Sequence, residues 1–148
     1  MAAAAIWQWY QTSQRQQDLI VVTATTNHAI QNAARSFFKL ANKLPNGTVV
    51  FLQSTAAELQ LVTTEDQVWC NCRVPELLKN LIEKMKDTME TGEKEAIVKY
   101  LRKKLGHNGE AFREHFAFER IPFHFQPKII FGTTVVVAKF AEQLVQNG

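Results

Sequence analysis

The chain has 148 residues, of which 46% are hydrophobic and 21% charged, a balance typical of a globular domain. This composition excludes a disordered tail and a collagen-like fibre, and two cysteines are too few for a disulfide scaffold. The length predicts a single domain over residues 1–148. The net charge of +3 is too small to indicate a nucleic-acid partner without a clustered distribution.

No targeting or membrane segment is apparent. Residues 1–6 are mostly apolar, but no basic residues precede them and Gln8 and Gln11 follow closely, unlike a secretion signal. No apolar run approaches the roughly 20 residues needed to cross a bilayer. With so few cysteines, these features predict an intracellular protein with free thiols and no membrane partner.

Two strands are predicted at the start of the chain. Trp7 and Trp9 have the spacing of one strand face, although the alanines at 2–5 favour a helix. The polar residues 15–18 can turn the chain into a second segment, 19–25. That segment is rich in Val, Ile and Thr and predicts a strand.

A helix is predicted over about 28–44. Its apolar residues recur on one broad face at helical spacing. Thr26 or Asn27 is the expected N-cap, and residues 45–47, Pro-Asn-Gly, are expected to end the helix.

Three strands are predicted next. Residues 48–53 and 58–64 are expected to form a hairpin. Residues 68–74 alternate between apolar and polar side chains, which predicts a strand with Trp69 on the face opposite Cys70 and Cys72.

The rest of the chain is predicted to be mostly helical. Pro75 suits the first turn of a helix with an apolar stripe to residue 90. The remaining predicted elements are a helix over about 93–105, a short helix after Asn108, extended pieces at 121–125 and 128–131, and a final helix from Thr133 or Thr134 to about residue 146.

These elements give the order β-β-α-β-β-β-α-α-(α)-β-α. Because most neighbouring strands are joined by short turns, the sequence predicts an α+β fold. Its sheet is expected to be mostly antiparallel, with helices packed on one face.

The main functional candidate is the polar face of the helix at 28–44. Its basic residues follow helical spacing, and no Asp or Glu lies between Asp18 and Glu58 to neutralise them. A second basic run follows on the helix at 93–105, where a solvated surface is the simpler interpretation. The candidate anion-binding residues are His28, Arg35, Lys39 and Lys43 on the first helix and Lys99, Arg102 and Lys103 on the second.

The tryptophans are candidates for an interface. Trp7 and Trp9 belong to an apolar N-terminal segment, and Trp69 would be available for stacking if its strand were half-buried. The alternative for each is a place in the core.

No catalytic or metal site is predicted. A single residue separates Cys70 from Cys72, fewer than in most structural zinc pairs. The four histidines are scattered, no phosphate-binding loop is present, and no cofactor is expected.

These observations predict a non-enzymatic binding or regulatory module that acts in a complex. Its partner is expected to be anionic, most simply RNA or DNA, or an acidic protein surface. A protein–protein adaptor or a self-assembling subunit, which would form a homo-oligomer, is the alternative. A small enzyme is the third candidate function.

Overall fold

The structure, a computed structural model, describes residues 2–12, 19–41, 44–54, 57, 67–102 and 109–147. In chain order the elements are α1 (Ala2–Thr12), β1 (Ile20–Ala24), α2 (Asn27–Leu40), β2 (Val49–Phe51), α3 (Gln67–Cys70), α4 (Val74–Lys84), α5 (Thr91–Leu101), α6 (Gly109–His124), β3 (Ile129–Thr133) and α7 (Thr134–Asn147).

The three strands form one sheet in the order β1-β3-β2, and both strand pairs are parallel. Val21 of β1 and Val50 of β2 both pair with Ile130 of β3. Helices and strands are both present, as expected, but the prediction of a mostly antiparallel sheet is wrong. Each strand is followed by a helix before the next strand begins, and such a crossover returns the chain to start a parallel strand.

Helices cover both faces of the sheet, so the prediction that they pack on one face is also wrong. Residues 49, 51, 129 and 131 belong to a core cluster with α1, α2 and α3. Residues 50 and 130 belong to a second cluster with α4, α5, α6 and α7. Because side chains alternate along a strand, these two sets point to opposite faces of the sheet.

The N-terminal segment is the helix α1 and not the predicted strand. Alanine has the highest helix propensity, and four alanines begin this segment. Ala3 and Ile6 are buried, and Trp7 and Tyr10 are partly buried. This i, i+3, i+4, i+7 spacing is that of one helix face.

The segment predicted as a strand over 68–74 contains the short helix α3 and a turn. Trp69 and Cys70 are both buried in the same core cluster, whereas an alternating strand would turn these two side chains to opposite faces. A single parallel bridge from Arg73 to Phe51 is the β-pairing found here among the described residues.

Residues 121–124 of the segment predicted to be extended at 121–125 are helical instead. Helix α6 continues through Pro122 to His124. Ile121 and Phe125 are both buried, and their separation of four residues is a helical spacing.

The other predicted elements within the described residues are confirmed with shifted ends. Helix α2 ends at Leu40 and α4 ends at Lys84, each earlier than expected. Gly47, with φ of +87°, lies in the turn before β2, a conformation that glycine adopts without steric penalty. The strand predicted over 58–64 lies outside the described residues.

Within the described part of the chain, no helix is both long enough and apolar enough to span a membrane.

Candidate anion-binding surface on helix α2

Helix α2 is held on the sheet by its apolar side. Ile30, Ala34 and Phe37 are buried in the core cluster with α1 and the sheet. At the start of the helix, the Thr26 Oγ1 accepts a hydrogen bond from the Ala29 backbone N at 3.1 Å, as an N-cap does. This packing leaves the polar side of α2 facing outward.

The outward side of α2 presents three basic side chains, His28, Arg35 and Lys39, which we call the basic stripe. His28 and Lys39 are exposed, and Arg35 is partly buried. The Arg35 Nη1 donates a hydrogen bond to the Asn32 Oδ1 at 2.8 Å, which orients the guanidinium along the helix. Lys43 lies outside the described residues.

The electrostatic surroundings of the basic stripe differ from those on the other side of the sheet. Helices α1, α2 and α3 contain no Asp or Glu. Acidic residues that the structure describes begin at Glu76, on the α4–α7 side. There Arg120 Nε lies 2.7 Å from Glu93 Oε1, so a carboxylate partly neutralises that cation. For His28 and Lys39, by contrast, the described helices of their own layer contain no carboxylate.

The second basic run is not brought together with the basic stripe. Lys99 and Arg102 are exposed, and their helix α5 packs on the opposite face of the sheet from α2. Lys103 lies outside the described residues. The two candidate basic sets therefore belong to separate surfaces.

The three tryptophans have different environments. Trp9 is 60% exposed on α1. Trp7 stacks on Tyr10 at 5.7 Å and meets Phe37 of α2 edge-on at 6.1 Å, so α1 lies directly beside α2.

Trp69 is buried and stacks on Phe51 with ring centroids 4.5 Å apart. Its side chain does not reach the surface, because α3 turns it toward the sheet. Core packing accounts for this residue, whereas Trp9 remains available for contact.

Cys72 does not have the character of a nucleophile. Cys70 is buried and Cys72 partly buried, and both are free thiols. Burial, with a smaller contribution from Cys70, raises the pKa of the Cys72 thiol to about 12. Because the thiolate is the reactive and metal-binding form, this thiol stays protonated near neutral pH. Among the described residues, no group of three or more His, Cys, Asp and Glu could hold a metal ion.

A small ionic cluster joins α5 to α6, and sequence reasoning did not identify it. Arg120 contacts Glu93 and also Glu119, the latter at 2.6 Å. The His124 Nε2 lies 3.5 Å from Glu93 Oε1. The Arg120 guanidinium also lies 4.4 Å from the centre of the Phe116 ring. The two contacts of Glu93, with Arg120 and His124, link residues that are distant in the chain, so they tie the two helices together.

A cavity of about 390 Å³ lies between the end of α2 and the start of α4. Its size is within the range of small-molecule sites. No sequence pattern indicated it, because its walls come from two stretches that are distant in the chain, 38–49 and 71–77. The lining includes Phe38, Leu44, Val49, Asn71, Cys72 and Leu77.

The chain matches no known family model, no curated protein and no solved structure.

Proposed function

We propose that this protein is a non-enzymatic binding module that contacts an anionic polymer, most simply RNA or DNA, through the basic stripe of α2. The observation that carries the proposal is the exposure of His28 and Lys39 on a layer whose described helices have no carboxylate. Exposed cations of this kind are available to replace the counterions of a phosphate backbone.

The neighbouring helix supports a nucleic-acid partner over a simple anion. Trp9 is exposed on α1, which packs on α2 through Trp7 and Phe37. An exposed aromatic ring on the helix that packs against the basic one offers a surface on which the bases of a single strand can stack.

The test is a fluorescence-anisotropy titration with single- and double-stranded oligonucleotides at two salt concentrations. We expect salt-sensitive binding by the unaltered protein. Lys39→Glu should weaken it and reduce the slope of log K against log salt by about 1 or more. Trp9→Ala should weaken single-strand binding more than double-strand binding.

Lys79→Glu is the matched control. Lys79 is exposed on α4, on the other side of the sheet, and its reversal changes the net charge by the same amount. No binding at low salt would contradict the proposal, and so would equal effects of the two reversals.

A protein–protein adaptor is the second candidate, supported by apolar side chains exposed at scattered sites. Phe123 on α6 and Val145 on α7 are among the exposed large apolar residues. If oligonucleotides fail to bind while an acidic protein surface binds in a Lys39-dependent way, the adaptor function replaces the nucleic-acid one.

A further inference from the structure

Strand β1 is one of the two outer strands of the sheet that the described residues form, and β3 is its strand neighbour there. The Ile20 backbone N donates a hydrogen bond to the Lys128 O at 2.8 Å. Because backbone groups alternate in direction along a strand, the peptide groups of Leu19, Val21 and Thr23 point away from β3.

An apolar row crosses the sheet and ends in solvent at β1. Val50, Ile130 and Val21 lie side by side in the strand register. The first two are at most 1% exposed, whereas Val21 is 46% exposed. Val21 is therefore the member of the row that leaves a large apolar surface exposed at a sheet edge.

The edge of β1 also lacks the features that usually prevent strand pairing. Exposed edges are commonly protected by charged residues, by proline or by a bulge. Residues 19–34 contain no Asp, Glu, Lys, Arg or Pro. Two copies of β1 can therefore approach each other across a twofold axis without placing like charges opposite one another.

We propose that β1 pairs antiparallel with β1 of a second copy of this chain, with the twofold axis at Val21. In this register Val21 lies opposite Val21 of the second copy, and Leu19 lies opposite its Thr23. All three outward-facing residues then form hydrogen-bonded pairs, and the two sheets become one six-stranded sheet.

The geometry favours a second copy over an unrelated strand for a specific reason. A twofold interface uses the same patch on both subunits, so it must be complementary to itself. The short uncharged β1 edge meets this condition, because the apolar row continues through Val21 into the same row of the second copy. This assembly is independent of the basic stripe on α2.

The first test measures mass in solution by sedimentation over a wide range of protein concentration. We expect a species of twice the 16.9 kDa chain mass. Val21→Lys should halve that mass, because two ammonium groups would meet at the axis. Val145→Lys, at a residue that is 82% exposed on α7, is the matched control and should leave the dimer intact.

The second test is disulfide cross-linking, which determines the register of the two paired β1 strands. Val21→Cys should form a cross-linked dimer under mild oxidation, since directly opposite residues lie about 5.5 Å apart at Cα. Leu19→Cys and Thr23→Cys should each fail alone and cross-link when the two variants are mixed. The unaltered chain, which contains Cys70 and Cys72, provides the background.

A monomer at all concentrations would overturn the proposal. A dimer that survives Val21→Lys, or that cross-links equally through Val145→Cys, would also overturn it. Circular dichroism of Val21→Lys tests whether the variant is folded, so that loss of the dimer is not confused with unfolding. Lys39→Glu should still dimerise, which separates this outcome from the fate of the proposed nucleic-acid binding.

Discussion

Cys72 shows at the residue scale how burial changes the chemistry of a side chain. Desolvation of the thiolate raises the pKa of this thiol from its ordinary value of 9.0 to about 12. Above pH 9 the unfolded chain releases the Cys72 proton while the folded chain keeps it. The folded state then binds more protons, so its stability falls as pH rises from about 9 to 12.

We therefore predict that Cys72→Ser flattens the alkaline part of the stability curve. Urea unfolding of both proteins at a series of pH values from 7 to about 11 measures the effect. Below pH 9 the free energies of unfolding of the two proteins should differ by a constant amount. Above pH 9 the unaltered protein should lose stability relative to Cys72→Ser. Two curves that remain parallel throughout would mean that the thiol ionises equally in both states.

Helix α4 shows at the element scale how a sequence pattern overstates burial. The apolar stripe runs to residue 90, but the helix ends at Lys84. Leu77 and Leu78 are buried, whereas Leu81 and Ile82 are only partly buried against the same core cluster. The centre of the stripe in the sequence is therefore not the most buried part of the helix.

Leu78→Ala is predicted to destabilise the protein by about 2–5 kcal/mol, because it leaves a cavity in the core. Leu81→Ala should cost clearly less, since part of that side chain already contacts water. Lys79→Ala, an exposed neighbour, should change stability by less than about 0.5 kcal/mol. Chemical denaturation of the three variants tests this order, and an equal or larger loss at Leu81 would contradict it.

At the scale of the whole molecule, three elements meet at Gly132 of the central strand. A Cβ placed there would lie 2.9 Å from Val137 Cγ2 of α7 and 3.3 Å from Leu52 Cβ, next to β2. A β-branched side chain and a strand backbone have little freedom to move away. The absence of a side chain at this position allows α7 to lie close to the sheet.

Gly132→Ala is predicted to destabilise the fold by about 1–3 kcal/mol through overpacking. Gly92→Ala in the first turn of α5 is the control, because its added Cβ would meet only Glu90 Oε1 at 3.6 Å. This control should be neutral or stabilise by up to about 1 kcal/mol. Thermal unfolding of both variants provides the comparison, and similar melting temperatures would contradict the tight contact.

Some features of the candidate site depend only on one helix, and others depend on how the helices pack. Helical spacing is enough to put His28, Arg35 and Lys39 on one side of α2, and the structure agrees. Spacing did not reveal that Arg35 is partly buried or that Arg102 lies across the sheet from α2. Those facts depend on which helix packs on which face, and no segment carries that information alone.

Local sequence patterns determined the helices α2, α4, α5 and α7 and the strands β1, β2 and β3, because apolar residues at helical spacing indicate a helix and runs rich in β-branched residues indicate a strand. Tertiary structure decided the rest. The spacing of Trp7 and Trp9 fits a strand and the alanines at 2–5 fit a helix, and α1 packs against α2 as a helix. The alternation at 68–74 predicted only a strand, whereas the structure has the short helix α3 and a turn there, with Trp69 packed on Phe51. Tertiary structure also decided the direction of the strands, because parallel pairing depends on how the helices return the chain and not on the residues of any one strand.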